Sequence, residues 1–583
     1  MELITLKGND LYQAFLAGAR RLISRKKYLN SINVFPVPDG DTGTNMSFLM
    51  QSIIDKAKSS EDLSETAASI ATAAVDGSRG NSGIIFAEFF VGLYEKLKNL
   101  RQARLEDFRQ AISYAIFRSY QAIMNPVEGT ILTVLRKAFD IKERLTDFKT
   151  YFRTSLEQAK TALKETPDEL ESLKKNGVVD AGAEGFTTFW EGVAIYMETG
   201  ERESADLKEA DVSFDIIYDP DYDMGKRYCT EAVILDGKTE LSSVKSALND
   251  IGDSLIVSGK PEKMHVHIHT DNPEQVFLRL RTYGRLNWQK IDDMKLQQQA
   301  MAKDRPETVV VVDSIADIPQ DLMDTYQIHM LPMNLIVDDI SYLDKQSVKI
   351  DTFYEMMDKY STFSSSQPDS GTIERLLGFL SEHYENILVV TVAGALSGTY
   401  DALCKYAGTN SKVKVFDSLQ NSGAEGLLAL EAARMASDGI KIEEIMAKLE
   451  EKRSKTRIYV SVKTLKYMVK GGRVGKVTGM IAKILNLKPV VSLDGTGHGI
   501  IREKAFSIRQ NEKKILKLLQ KAPIVKYSII HADALNRAEK MAEKITKLCG
   551  KAPEFITEIS PIVAANAGTG AVGIAVEFSR EVK

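Results

Sequence analysis

The sequence predicts a multidomain chain: an all-helical region, then an α+β segment of split-βαβ order, then a two-lobed α/β region. Apolar positions recur at three- and four-residue spacing in 10–28, 44–58, 64–75, 82–98, 106–124, 130–145 and 184–198, the period of helices that bury one face. After the polar stretch Thr199-Gly200-Glu201-Arg202-Glu203-Ser204, runs at 227–235, 253–258, 263–269 and 285–291 read as strands, with helices at 240–249 and 273–283. Their order, βαββαβ, is that of a small split-βαβ sandwich. From Val309 onward, continuous apolar runs at 308–312, 387–392 and 413–416 alternate with helical stretches, as buried parallel strands do. A second set of strands and helices after about 455 implies a second lobe, with a ligand cleft between the two. The expected domains are 1–205, 206–305 and 306–583, and 292–305, with its three consecutive glutamines, reads as a polar helical connector.

At 583 residues the chain exceeds one core. Its 44% hydrophobic and 27% charged residues are an ordinary soluble composition, and a net charge of −4 gives no reason to expect nucleic-acid binding. Cys229, Cys404 and Cys549 cannot build a disulfide framework and fit a reducing cytoplasm. The first residues lack the apolar core of a signal peptide. No apolar stretch approaches the roughly 20 residues that span a bilayer. A lipid substrate is therefore met from the aqueous side, with at most transient contact with a membrane surface.

The sharpest signal in the helical region is Asn33-Val34-Phe35-Pro36-Val37-Pro38-Asp39-Gly40-Asp41-Thr42-Gly43-Thr44-Asn45-Met46. Asp39 and Asp41 lie two residues apart on a loop stiffened by two prolines. Like charges held that close are costly unless a hard cation neutralises them. Magnesium takes oxygen ligands and bridges carboxylates to substrate phosphates. Gly40 and Gly43 let backbone N–H groups turn inward, and Thr44 and Asn45 can start a helix whose N-terminus favours anions. The alternative is an acidic turn that caps a helix. Three more loops stand at predicted helix starts: Gly77-Ser78-Arg79-Gly80-Asn81-Ser82-Gly83, Glu128-Gly129-Thr130, and Gly177-Val178-Val179-Asp180-Ala181-Gly182-Ala183. The first has the composition of a phosphate cradle, and four such loops exceed what interhelical turns require.

With these motifs, residues 1–200 resemble the nucleotide-binding L domain of the dihydroxyacetone-kinase family, in the form found in its fatty acid kinase branch. The resemblance implies an eight-helix antiparallel barrel with ATP and two magnesium ions at one end. It makes Asp39 and Asp41 the magnesium ligands and catalytic carboxylates, and puts Asn33 near the place of a third acidic ligand in the dihydroxyacetone enzymes. Thr42, Gly43, Thr44 and Asn45 would lie near phosphate, as would Gly80, Asn81, Ser82 and Gly83. Thr130 and Asp180 match loops that close around the nucleotide.

In the middle segment, His265, His267 and His269 alternate along one predicted strand and so share a face. With a thiolate from a neighbouring strand, a His-x-His pair suits zinc; a metal-free polar cluster is the alternative. The fatty acid kinase middle domain carries a Cys plus His-x-His site, which this resemblance maps to Cys229, His267 and His269. His265 is then an extra, outer or solvent-facing histidine.

Six short segments mark the last region: Asp313-Ser314-Ile315-Ala316-Asp317, Ser365-Ser366-Gln367-Pro368, Leu396-Ser397-Gly398-Thr399-Tyr400, Gly471-Gly472-Arg473-Val474, His531-Ala532-Asp533 and Gly568-Thr569-Gly570-Ala571. In this order they resemble the DegV family of fatty-acid-binding proteins over about 306–583. The resemblance implies an apolar tunnel for the chain, with Ser365 and Ser397 holding the carboxylate beside Ser366, Gly398 and Thr399. Arg473 would supply positive charge to the cleft and the reaction, and His531 would stand on the same rim. Ser365 replaces the usual threonine, and Asn566 stands where histidine is common.

A fatty acid, with a pKa of about 4 to 5, is already an anionic nucleophile at neutral pH. Phosphoryl transfer to it needs positioning and charge neutralisation rather than a general base. The expected reaction is therefore ATP plus long-chain fatty acid to ADP plus acyl phosphate, in a homodimeric cytoplasmic enzyme. Service to a fused carrier in cis, to a partner chain, or to separate DegV-like carriers stays open. The rivals are a small-polyol kinase of the dihydroxyacetone type and a non-catalytic lipid-binding or sensing protein. The first lacks here the K-type domain in which that family holds its substrate on a histidine; the intact acidic loop weighs against the second.

Overall fold

The computed structural model describes residues 3–200, 225–302, 304–360, 362–471 and 487–582, in two compact units, Met1–Met301 and Ala302–Lys583. The first opens with helices α1 (Gly8–Ser24), α2 (Lys26–Ser31), α3 (Thr42–Lys56), α4 (Leu63–Gly77), α5 (Gly80–Leu97), α6 (Leu105–Ala122), α7 (Ile131–Ala138), α8 (Phe148–Glu169), α9 (Glu171–Asn176) and α10 (Ala181–Thr199). The sequence reading missed α8. Its buried stripe, Phe148, Tyr151, Phe152, Ser155, Ala159 and Ala162, is interleaved with charged residues and half of it is small, so the apolar period is faint. Asp147 starts this helix by accepting the Thr150 N–H at 3.0 Å. The helix expected over 130–145 stops at Ala138.

Helix α1 packs on α3, α4 and α10, and contacts then run α4–α5–α6–α7–α8–α10. The interior is aromatic: Phe86, Phe89, Phe186, Phe189 and Trp190 are fully buried, with ring centroids of neighbours 5–7 Å apart, in the range of favourable aromatic pairs. Where α1 and α10 cross, a Cβ on Gly192 would stand 2.8 Å from the Cα of Gly18, so this close approach admits no side chain.

The middle elements follow the expected order: β1 (Tyr228–Leu235), α11 (Leu241–Leu248), β2 (Asp253–Lys260), β3 (Lys263–Thr270), α12 (Pro273–Leu280), β4 (Arg285–Asp293) and α13 (Met294–Met301). They form an antiparallel sheet of order β2-β3-β1-β4. On β1, Cys229 stands opposite His269 and Asp292, and Glu231 opposite His267 and Lys290. The expected boundary at 205 falls outside the described residues.

The second unit has a parallel four-stranded sheet of order Val413–Asp417, Asn386–Thr391, Thr308–Asp313, His329–Leu331. A six-stranded, largely antiparallel sheet forms the other lobe, and an antiparallel ribbon of Ile340–Leu343, Asn334–Val337 and Phe363–Ser366 stands apart. Helix Ser422–Ser437 packs on strands of both large sheets and is almost wholly buried. No described helix is long and apolar enough to cross a membrane.

Buried His329, in the parallel sheet, has no hydrogen-bond partner for Nε2, and burial pushes its imidazole down to about 4. A histidine depressed on folding binds fewer protons folded than unfolded between about pH 4 and 6.5. Its share of stability is complete above about pH 6.5 and is lost as pH falls. We expect His329→Phe to remove about 2 kcal/mol of the stability difference of this unit between pH 8 and pH 5, read from urea midpoints at both pH values.

Candidate functional site

In the first unit the Gly-rich loops converge. The acidic loop is braced by Asn33, whose Oδ1 accepts the Thr42 N–H at 2.9 Å and whose Nδ2 donates to the Val37 carbonyl at 3.0 Å. Both ends of this buried amide are spent on the loop backbone, so the structure gives Asn33 a strut's part. Thr44 is held by Asn30 through two bonds of 3.0 Å. A Cβ on Gly43 would stand 2.2 Å from the Lys26 carbonyl oxygen, so its role here is close packing of α3 on α2.

Gly80, at φ +59°, lies against Asn45: a Cβ there would fall 2.3 Å from Asn45 Nδ2. Asn45 in turn hydrogen-bonds the Asp41 carboxylate. On the other side of α5, a Cβ on Gly182 would stand 2.7 Å from Ser82 Oγ and 3.3 Å from Asp180 Oδ1. Asp180 caps α10 through the Ala183 N–H at 2.7 Å and also accepts the N–H of Ile131, the first residue of α7. Thr130 caps α7, accepting from Leu132 N and donating to the Val127 carbonyl. The N-terminal ends of α3, α5, α7 and α10 are thereby tied together, and each carries partial positive charge. Gly83 lies beside Asn45, and the buried Oδ1 of Asn81 has no hydrogen-bond partner.

Against this stands the paired carboxylate. Burial, with Asp41 as a like charge beside it, pushes Asp39 well above the usual carboxylate range; burial also raises Asp41. The Asp41 side chain keeps 23% of its surface exposed, so the pair is recessed but reachable. Recessed oxygen donors that lack sufficient counter-charge fit a hard divalent cation.

One face of the middle sheet adds residues that the sequence reading missed. Lys290, Glu231 and Asp292 form a buried ion cluster next to Asp41, with Lys290 Nζ 2.9 Å from Glu231 Oε1, 2.8 Å from Asp292 Oδ2 and 3.9 Å from Asp41 Oδ2. Burial opposes the charge on Lys290, but the Asp292 and Glu231 carboxylates outweigh it and hold its pKa up. Burial likewise opposes the charge on Glu231, yet Lys290 brings its carboxyl down to about 2. The available signal was Glu231, two residues beyond Cys229 in an otherwise apolar strand and therefore on the same face.

That face also carries Cys229, His267 and His269, whose donor atoms lie within 4.8 Å of one another. Cys229 Sγ is 3.8 Å from His267 Nδ1, and His267 Nε2 has no partner. Burial holds His267 down to about 3 and His269 to about 4, so both rings are neutral, and burial pushes the Cys229 thiol well up. Two neutral imidazoles and a thiol that zinc would deprotonate are a donor set suited to zinc, whose bonds of about 2.0–2.3 Å set tetrahedral ligands roughly 3.3–3.8 Å apart. Cys229 and His267 stand at the upper end of that range, and the set as a whole would draw in from its 4.8 Å span on binding. Of the two places expected for His265, outer or solvent-facing, the second does not hold; the residue is 5% exposed and burial lowers its imidazole to about 4.

In the second unit an apolar cavity of about 130 Å³ lies among residues of the six-stranded sheet, the loops that follow two strands of the parallel sheet and helix Pro561–Ala567, including Ile458, Ile530, Ile315 and Ile562. A polar pocket lined by Ser366, Gln367 and Gly398 adjoins it, and Ser365 and Ser397 line both. The two hydroxyls thus mark the junction of an oily space and a wet one. Ser397 Oγ is 2.8 Å from Thr399 Oγ1, a contact in which either hydroxyl can donate, and accepts the Thr399 N–H at 3.3 Å.

His531 also lines the cavity, with Nδ1 2.7 Å from Glu558 Oε2. Asn566 lines it too, and its Nδ2 donates to the Ile562 carbonyl. The Asp313–Asp317 motif is scaffold: Asp313 accepts from Ile315 N and Val392 N, and Asp317 from Ser560 N. Arg473 lies outside the described residues.

Comparisons with known proteins follow the same division. Residues 36–194 match the DAK2 domain, 225–301 the FakA-like middle domain of fatty acid kinases, and 307–579 the uncharacterised proteins of the DegV family. An uncharacterized protein of Staphylococcus saprophyticus is 33% identical over 316 residues, 51% of this chain and 57% of its own. Protein YloV of Bacillus subtilis is 30% identical over 322 residues, 52% of this chain and 58% of its own. The chain therefore spans little more than half the length of these curated relatives. Among solved structures, DegV, a fatty acid binding protein from Bacillus subtilis, is 26% identical with a TM-score of 0.44, and a DegV lipid binding protein from Thermotoga maritima is 27% identical with 0.42; each covers 47% of this chain and 100% of its own. The chain carries, in order, a DAK2 domain, a FakA-like middle domain and a DegV domain.

Proposed function

We propose that this chain is a fatty acid kinase that transfers the γ-phosphoryl group of ATP to the carboxylate of a long-chain fatty acid, giving ADP and acyl phosphate. The domain matches point to a kinase-type enzyme with lipid-binding capacity. The observation that carries the finer reading is the recessed Asp39–Asp41 pair beside four linked helix N-termini. The circuit of helix contacts supports an eight-helix barrel, and we take 1–205, 206–305 and 306–583 as the three domains.

Asp39 and Asp41 would hold magnesium, and Asn45 fixes Asp41. The N–H groups at the starts of α3 and α5, with Asn81 and Ser82, would receive phosphate oxygens. Bound magnesium would neutralise charge gathering on the phosphoryl oxygens. Ser365 and Ser397 would donate to the carboxylate, leaving the tail in the apolar cavity, and His531 and Arg473 would add polarity and charge at the rim. The carboxylate oxygen forms the new bond to phosphorus as the bond to the bridging oxygen of ADP breaks; no proton has to move.

Incubation with ATP, Mg²⁺ and oleate in the presence of hydroxylamine tests this. Oleoyl hydroxamate together with ADP is expected. ADP formed only with dihydroxyacetone would favour a polyol kinase, and lipid retention without ADP would favour a carrier.

Cys229, His267 and His269 would hold zinc, which when bound fixes strands β1 and β3 as a unit. We expect close to one zinc per chain by elemental analysis and less than about a tenth of that in Cys229→Ala; full zinc content in the variant would remove the thiol from the site.

A further inference from the structure

Lys290 stands between the middle sheet and the acidic loop. Its side chain is 4% exposed. An ammonium has three N–H donors. Glu231 and Asp292, at 2.9 and 2.8 Å, lie in hydrogen-bond range of two, whereas Asp41 at 3.9 Å is beyond it. Glu231 in turn accepts the N–H of Gly80 on its other oxygen, at 3.3 Å, and Arg79 stacks on Trp288 of the same strand as Lys290, 4.4 Å from the ring. The sheet face that carries Lys290 is therefore fastened to the Gly77–Gly83 loop at two successive residues and to the acidic loop through Asp41.

We propose that Lys290 is a positioning residue of the nucleotide site: a fixed cation, supplied by the middle domain, that weakens the grip of the aspartate pair on free divalent ions and strengthens the hold of the site on nucleotide phosphates. This rests on the kinase reading above. The argument is the sign of Coulomb's law. A buried positive charge 3.9 Å from a carboxylate opposes any second cation at that carboxylate and attracts an arriving polyphosphate. A lysine that merely holds the sheet to the loops would, when replaced, loosen the site for both ligands together. Opposite changes for cation and anion are the signature of the fixed charge. Metal then binds well chiefly when it arrives with phosphate, and the DAK2 domain without the middle sheet is an incomplete site.

The test uses the full chain with one equivalent of zinc, as wild type, Lys290→Gln and Lys290→Arg. Mn²⁺ affinity without nucleotide is read by electron paramagnetic resonance, and ADP affinity in Mg²⁺ by calorimetry. Lys290→Gln is expected to bind Mn²⁺ about tenfold more tightly and ADP about tenfold more weakly, with Lys290→Arg restoring both. Should Lys290→Gln fail to fold, Glu231→Gln decides: less compensation of Lys290 gives weaker Mn²⁺ and tighter ADP binding, and unchanged constants overturn the proposal. Both affinities falling together in Lys290→Gln, or neither moving while wild type binds ADP, overturns the role of Lys290 alone. Wild-type protein that binds neither ligand overturns the kinase reading as well.

Discussion

Replacing Asp41 by alanine is expected to lower acyl phosphate formation at least about a thousandfold while fatty acid still co-purifies with the protein. Phosphoryl transfer to a carboxylate draws almost all of its acceleration from positioning and from charge placed around the transferring group. Asp41 is where these requirements meet: it is recessed, Asn45 orients it, and Lys290 and Asp39 are its charged neighbours. Alanine leaves Asp39 to hold a cation alone, with the Lys290 charge still held nearby by Glu231 and Asp292, so phosphate is still attracted but no longer aligned. Hydroxamate trapping measures the rate, and mass spectrometry of extracted lipid checks the other unit. Turnover within tenfold of wild type would remove Asp41 from the reaction.

The second large effect is expected in the lipid unit. Replacing both Ser365 and Ser397 by alanine should raise the dissociation constant for oleate about a hundredfold or more. Hydrogen bonds to a charged group are worth about 1.5–3 kcal/mol each, and tenfold in affinity is about 1.4 kcal/mol. Both residues line the apolar cavity and the adjoining polar pocket, so a carboxylate whose tail fills the first has its oxygens at the second. The tail's burial survives the double change, so residual binding should resemble that of a fatty alcohol. Competition with a fluorescent fatty acid gives both constants. A double variant that still prefers oleate to oleyl alcohol as strongly as wild type would place head-group recognition elsewhere.

What the sequence disclosed and what it concealed follow from range. The acidic loop is a local message: two aspartates and two prolines in six residues state a strained, charged turn whatever surrounds them. The βαββαβ order was equally legible, because each middle strand carries its own alternation. The ion cluster was not, since Glu231 and Lys290, far apart in the chain, meet only through cross-strand register, and Asp41 meets them only where the acidic loop packs against that sheet face. Asn33 shows another limit: the sequence puts it beside the aspartates without saying what its amide does, and in the fold both ends of that amide hold the loop backbone. Thr130 and Asp180 turned out to be caps whose side chains tie helix starts together, a role invisible without knowing which ends converge. Helix α8 was lost because charged positions outnumber its large apolar ones.

Oleate labelled with ¹⁸O in both carboxylate oxygens puts the reaction to the sharpest test. Phosphorus NMR of the product formed with ATP and Mg²⁺ should show the isotope-shifted resonance of an acyl phosphate whose bridging oxygen is ¹⁸O, because the carboxylate itself attacks phosphorus. Inorganic phosphate at its unlabelled position, with no acyl phosphate signal, would contradict the account.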